Sequence, residues 1–420
     1  MIGKCLQAAS LAASYAALLL RWPLRSEAAA EAAPRRILVL GYAAIGDLIF
    51  LLPTLRLLRK AFPQACVTFL ADRYAGTKEL LPASNLVDDI WLYEHAELGR
   101  SRCRREIFRR IRSARFDAVV VSHGTPMRAF AQPILNIPLR TGHCRPLSAP
   151  HAGWSRLRYA LWRLKRGVIS GEFERRLALN LKIWLAEGRE HAVRRNLRLI
   201  EALGGSHDAQ EALAVRPALP ELDSDHAFAE RTLASHAGRR IVGLHLGAAG
   251  SAGDPYRKIW SAEQWARVCE KMIRSHPCVL VILGGPSEVE ALGRFRSIFT
   301  GPCVDLVGRA SLLQTLATIR RCEFFLGCDT GPVKAAMALG VPTFSVWGPS
   351  SRRDNGAFWD PQRHREVQME LPCQPCIQLA LSSEGAGVIN SRNCGHHDCL
   401  NRMTPEIVLE ALSEWLSSQK

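Results

Sequence analysis

An α/β protein built from two doubly wound parallel sheets is the fold class the sequence predicts, and three observations predict it. Short apolar runs bounded by glycine or polar residues alternate with longer amphipathic segments, the pattern of βαβ units. The same grammar occurs twice, before and after Gly204-Gly205 and a Pro/Asp-rich stretch containing Pro217, Pro220, Asp223 and Asp225. The segment from Phe324 to Pro349 reads strand, turn, helix, strand without a break. A chain of 420 residues suffices for two such domains with a core in each, and they leave a crevice between them.

The chain opens with Leu6 to Leu20, LQAASLAASYAALLL, between Lys4 and Arg21. At about fifteen residues this run is shorter than the roughly 20 that a membrane-spanning helix needs. Three readings stay open for residues 1–34: a signal-peptide core with Ala28-Ala29-Ala30 as small residues for cleavage, an interfacial anchor, or a plain leading helix. Arg36-ILVL-Gly41 then predicts a buried strand, and Asp47-LIFLLPTLRLLRKAF an amphipathic helix with a basic outer face. Val67-TFLA, Asp89-IWLY and Phe116-DAVVVSH read as further strands, and Pro150 to Gly205 as helical and strongly basic. The second half starts at the strand Arg240-IVGLHLG. The helix Trp260-SAEQWARVCEKMI and the strand Cys278-VLVILGG follow it.

Ligands of open parallel sheets bind beyond the carboxyl ends of the strands, so the residues that follow each strand are the candidates. After Phe324-Phe325-Leu326, Asp329-Thr330-Gly331-Pro332 opens an Ala/Leu-rich helix that Gly340 closes. Asp or Thr caps such a helix, and Pro332 suits its first turn because it lacks a hydrogen that would have no partner there. The unpartnered N–H groups of that turn bind anions, phosphate above all; a plain packing turn is the competing reading. The loop Gly247 to Ile259 is rich in small residues that let a ligand approach the backbone, and Lys258 at its far end supplies charge for phosphate. Glu288, after Gly284-Gly285, is placed to accept hydrogen bonds from a ribose. After the first strand, Gly41-Tyr-Ala-Ala-Ile-Gly46-Asp47 lacks the spacing of a dinucleotide fingerprint and has no Gly-Lys-Ser/Thr loop, which leaves Asp47 as a helix cap or a functional carboxylate.

Composition limits the partners. With 48% hydrophobic and 22% charged residues the chain is globular, and a net charge of +16 favours an anionic partner: nucleic acid, phosphorylated glycan, nucleotide sugar or anionic membrane. The basic stretch Arg156 to Arg198 carries Trp154, Trp162 and Trp184, which suits an anionic membrane surface; nucleic acid and a solvated helical face compete, and no nucleic-acid-binding module accompanies the charge. Thirteen cysteines spread over this length fit a reducing compartment. Four of them, Cys373, Cys376, Cys394 and Cys399, form two close pairs that admit a structural zinc, reduced thiols or a disulfide.

Three motifs in order, IGDLIFLLPTLRLLRKAFPQACVTFL, KIWSAEQW and GCDTGPVKAAMALGVPTFSVWGP, together with His191-AVRRNLRLIEALG, resemble glycosyltransferase family 9, the ADP-heptose:lipopolysaccharide heptosyltransferases. The resemblance runs from about Arg36 to the C-terminus. It implies a GT-B fold in which 35–220 is the acceptor-side domain and 221–420 the nucleotide-sugar domain, with inversion at the anomeric carbon and no catalytic metal. It further implies that Asp47 is the general base, that Lys258 contacts the donor phosphates and Glu288 the nucleoside, and that Asp329, Thr330 and Gly331 form the element at the donor diphosphate and sugar. Ser251 is a weaker phosphate candidate, because Ala248 to Tyr256 departs from the family's Thr-rich version. Where the family commonly has His, this chain has Lys334, which keeps a positive charge but cannot shuttle a proton near neutral pH. The expectation is therefore an inverting transferase moving a sugar, with ADP-heptose the donor, to a lipid-linked glycan such as lipopolysaccharide core. It would act in the cytoplasm, peripheral to the inner membrane and without nucleic acid. An epimerase-like enzyme of the same fold and a non-catalytic membrane-associated binding protein are the alternatives.

Overall fold

A computed structural model of the protein describes residues 33–41, 44–73, 76–94, 101–122, 136–144, 179, 181–184, 190–205, 216–247, 258–375, 394 and 396–419. The leading segment 1–32, Trp154, Trp162, Ser251 and Cys376 lie outside the described residues.

Two six-stranded parallel sheets form the framework. The first contains β1 (Arg36–Leu40), β2 (Cys66–Asp72), β3 (Asp89–Tyr93), β4 (Ala118–Val121), β5 (Leu139–Cys144) and β6 (Leu181–Trp184) in the order β3-β2-β1-β4-β5-β6. The second contains β7 (Ile241–His245), β8 (Val279–Leu283), β9 (Cys303–Asp305), β10 (Phe324–Cys328), β11 (Thr343–Trp347) and β12 (His364–Gln368) in the order β12-β11-β10-β7-β8-β9. Both are doubly wound: the strand order reverses between β1 and β4 in one and between β7 and β10 in the other. Such reversals open the crevices in which ligands of these folds sit. The residues that follow β1, β7 and β10 are Gly41 to Asp47, Gly247 to Lys258, and Asp329 to Gly331.

The central strands are apolar on both faces because helices cover both sides; every residue of β7, β8, β10 and β11 is buried. One apolar cluster runs from Ile37 and Val39 through Leu48, Phe50 and Leu51 of the Ile45–Ala61 helix to Ala335, Ala336 and Met337 of the Gly331–Leu339 helix. The two halves thus share a core across their junction, which fixes one helix start against the other.

The structure departs from the sequence reading in one region. Pro150 to Gly205 was expected to be helical; most of that segment lies outside the described residues, and within them Leu181–Trp184 is an edge strand paired with β5 while Ala192–Glu201 is a helix. Four residues, of which only Lys182 is basic, are too few to stand out from the basic run around them. β9 and β12 are also edge strands, short or half-polar, for which an uninterrupted apolar run is not required.

Candidate functional site

The Gly331–Leu339 helix starts directly after β10, and its first-turn N–H groups have no carbonyl of their own helix to bond. Thr330 holds the cap position, but its side chain makes no cap bond, and Asp329 is drawn away to two lysines. The expected side-chain cap is therefore absent, and the buried Thr330 hydroxyl is left unpartnered beside the helix start. Gly340, at φ +75°, ends the helix as predicted.

Asp329 organises the charge at this turn. Its side chain is 1% exposed; Lys258 Nζ donates to Oδ2 at 2.8 Å, and Lys334 Nζ lies 3.0 Å from Oδ1 as an ion pair without hydrogen-bond alignment. Burial works against the ionised form, but the ammonium groups of Lys258 and Lys334 together outweigh it and hold the carboxyl well below the usual range. Two cations on one anion leave a net positive cluster at a helix N-terminus, an arrangement that attracts phosphate. Lys258 remains 30% exposed on the crevice side; Lys334 is enclosed, with its ammonium 5.2 Å from the centre of the Phe50 ring.

The facing wall comes from the other half. A Cβ at Gly46 would meet Lys334 Cδ at 2.6 Å, and one at Gly331 would meet Ile45 Cβ at 2.9 Å. Glycine at both positions lets the two helix starts abut. Asp47, the next residue, is half-buried and has no hydrogen-bond or ion-pair partner among the described residues. Sequence reasoning left it as a cap or a functional carboxylate. Ala44 holds the cap position instead, and the Asp47 side chain makes no cap bond.

Glu288 closes the turn after β8. Its carboxylate accepts the Gly285 N–H at 2.6 Å and the Ser287 hydroxyl at 2.7 Å, and packs so tightly beneath β7 that a Cβ at Gly247 would meet Glu288 Cγ at 2.6 Å. His245, the last residue of β7, was not singled out from the sequence. Burial pushes it down to about 4 while Glu288 pulls the other way, and its Nδ1 has no partner.

His191 ties the halves together. His191 Nδ1 accepts the Val193 N–H at 3.2 Å, so Nε2 carries the proton and donates to the Gly356 carbonyl at 3.0 Å. The ring sits between Phe50 and Phe358, and burial there pushes it down to about 4. Beside the same loop Glu366 accepts the Ala357 N–H at 2.7 Å, and burial pushes it up to about 7. The signs are opposite. His191, His245 and His364 have an ordinary value of 6.5 and fall to about 4, so their neutral forms favour the fold above about pH 6.5, and that contribution is lost as pH falls through 4. Glu366 rises from 4.5 to about 7, so its contribution is complete below 4.5 and is lost as pH rises through 7. The melting temperature of Glu366→Gln minus that of the parent is therefore expected to increase between about pH 5 and pH 8. A flat difference across paired melts would remove Glu366 as a titrating group.

Cys399 is buried and Cys373 and Cys394 partly so. Burial and the neighbouring thiols of Cys394 and Cys373 push Cys399 up to about 11, which favours the protonated thiol. Among the described residues no three metal-ligating side chains converge on one point; Cys376, the remaining member of the two pairs, lies outside them.

Two doubly wound sheets whose β1 and β10 ends meet, with a cationic helix start on one side and an unpaired carboxylate on the other, form the GT-B architecture. A family model described as glycosyltransferase family 9 (heptosyltransferase) matches residues 160–385, over half of the chain, and the chain belongs to that family. It is 25% identical over 181 residues to lipooligosaccharide heptosyltransferase 2 of Campylobacter jejuni, covering 42% of this chain; the chain spans about half the length of that relative, 52%. It is 23% identical over 394 residues to lipopolysaccharide heptosyltransferase 2 of Escherichia coli, covering 92% of this chain and 99% of the relative. The structure of E. coli ADP-heptose lps heptosyltransferase II superposes with a TM-score of 0.62 at 22% identity, covering 91% of this chain and 99% of that one. No helix among the described residues is long and apolar enough to cross a membrane.

Proposed function

We propose that this chain is an inverting, metal-independent glycosyltransferase that moves heptose from ADP-heptose to lipopolysaccharide core or a related lipid-linked glycan, in the cytoplasm at the face of the inner membrane. The observation that carries the reading is the abutment of two helix starts, one bearing the unpaired Asp47 and the other the Asp329, Lys258 and Lys334 cluster. The names of the E. coli relative and structure support the choice of sugar and acceptor.

The donor diphosphate lies at the helix start near Thr330, with Lys258 reaching it from the crevice side and Glu288 toward the nucleoside. Asp47 takes the proton from the acceptor hydroxyl as its oxygen bonds to the anomeric carbon. The bond from that carbon to the phosphate oxygen breaks on the opposite face, and ADP leaves with the bonding electrons. The first-turn N–H groups and Lys258 stabilise the charge that develops on ADP. Lys334, already paired with Asp329, keeps the cluster positive and shuttles no proton.

A panel of nucleotide sugars screened by thermal shift tests the donor, since a ligand that binds only the folded state raises the melting temperature. ADP-sugars are expected to raise it, by the equivalent of about 2.7 kcal/mol at a hundredfold excess over Kd; a response confined to UDP-sugars would refute ADP-heptose. Incubation of the donor without acceptor separates transfer from an epimerase-like reaction, because only the latter yields a new nucleotide sugar. Donor binding with neither transfer nor hydrolysis would leave a binding protein.

A further inference from the structure

Arg102, Arg105, Arg109 and Arg112 are all exposed on the Ser101–Ala114 helix, and their spacing puts them in one line along its outer face. None of the four has an ion-pair or hydrogen-bond partner among the described residues. Elsewhere on the surface arginines are commonly paired: Arg59 with Asp88, Arg294 with Glu263, Arg309 with Asp305, Arg321 with Glu230. On this helix Arg110 serves the fold, lying over the Trp91 ring at 3.9 Å.

Folding alone does not account for the line. Arginines three and four residues apart repel one another, and a cation in the first turn opposes the helix dipole, so the stripe destabilises the helix that carries it. The helix is held instead by its inner face, where Ile111 with Ile107 and Phe108 packs on β3 and β4. That is the face of the first sheet opposite the Ile45–Ala61 helix, whose residues belong to the core shared with the other half. The arginines therefore point away from the rest of the molecule. The helix begins at the carboxyl edge of the sheet, where β3 ends, so the stripe runs from the crevice side down the outer surface.

We propose that this stripe is the surface by which the protein adsorbs to an anionic phospholipid bilayer. It deepens the reading above by naming where a chain acting on a lipid-linked acceptor meets the membrane. A single convex helix with its guanidinium groups in a row fits a flat, diffuse negative surface. It offers neither a groove for a duplex nor exposed aromatic rings for stacking bases. Among the described residues the exposed large apolar side chains, Leu222, Ile259, Val289 and Ile407, lie in the other half, so contact through this helix is electrostatic and sensitive to salt.

The test is co-sedimentation of the full chain with vesicles of phosphatidylcholine alone or mixed equally with phosphatidylglycerol, with neither sugar donor nor acceptor present. Each arginine near an anionic surface contributes about fivefold to partitioning. Replacing Arg102, Arg105, Arg109 and Arg112 together by Gln is expected to weaken binding to the phosphatidylglycerol vesicles at least about tenfold, while replacement by Lys preserves it. Each variant must melt cooperatively at a temperature close to that of the parent; if the fourfold Gln variant does not fold, Arg105→Gln with Arg109→Gln is expected to show a smaller loss of the same sign. A Gln variant that binds like the parent overturns the proposal. So does a loss shared by the Lys variant, a loss equally large on phosphatidylcholine alone, or stripe-dependent binding to a nucleic-acid duplex without vesicle binding. Because the readout needs no sugar chemistry, failure here and failure of the transfer reaction are separate results.

Discussion

Asp47→Asn is expected to cut turnover by a factor on the order of 10² to 10⁴ while the thermal shift produced by ADP stays close to that of the parent. The size follows from the role. A carboxylate that accepts the acceptor's proton as the new bond forms acts in the transition state, so its loss appears in kcat and hardly at all in donor binding. The structure makes the variant a clean probe: Asp47 has no partner among the described residues and caps nothing, and Asn has nearly its shape. The fold loses only a favourable charge in the first helical turn, roughly 0.3–1 kcal/mol. A variant with normal melting and turnover within about tenfold of the parent would put the base on another residue. If ADP no longer raised its melting temperature, Asp47 would belong to the donor site instead.

The sequence made the central strands legible because a strand buried on both faces must be apolar throughout. IVGLH, VLVIL and FFLGC can hardly be read otherwise. Edge strands carry no such demand, which is why LKIW, CVD and HREVQ pass unnoticed among loops and basic helix. The individual site residues were legible for a similar reason: each follows a strand, and strand ends are where these folds bind ligands. Their pairings were not. That Lys258 and Lys334 share one carboxylate depends on the course of a loop and the pitch of a helix, and that Gly46 lies on Lys334 depends on residues nearly three hundred apart. The protonation of His191 and Glu366 depends on burial produced by whole-domain packing. The arginine line at 102, 105, 109 and 112 is visible in the sequence as a helical period, but only the structure shows that its members lack partners.

Asp329→Asn is expected to be the most destabilising single change at the site, because it leaves two ammonium groups facing a neutral amide. Removing one member of a buried ion pair costs about 3–5 kcal/mol, since the remaining charge stays desolvated. Lys258, 30% exposed, can swing into solvent and recover part of its hydration; Lys334, 9% exposed between the carboxylate and Phe50, cannot. The loss therefore falls near the lower end of that range, equivalent to a fall in Tm on the order of 10 °C. Its source can be isolated by a double-mutant cycle. Lys334→Met removes the trapped cation, so Asp329→Asn combined with Lys334→Met is expected to melt above Asp329→Asn alone, with a coupling of about 0.5–3 kcal/mol. The pH dependence gives an independent check. The carboxyl of Asp329 is held below its ordinary value of 3.8, so its contribution is complete above that value and is lost only as pH falls further. Between about pH 5 and pH 8 the Asp329 carboxylate stays ionised, so the deficit of Asp329→Asn changes there only as Glu366 ionises and its repulsion by Asp329 is relieved in the variant, and it is expected to shrink toward pH 8. Additive effects in the cycle would mean that Lys334 is not held by Asp329, and the cation against Gly46 would then need another anchor.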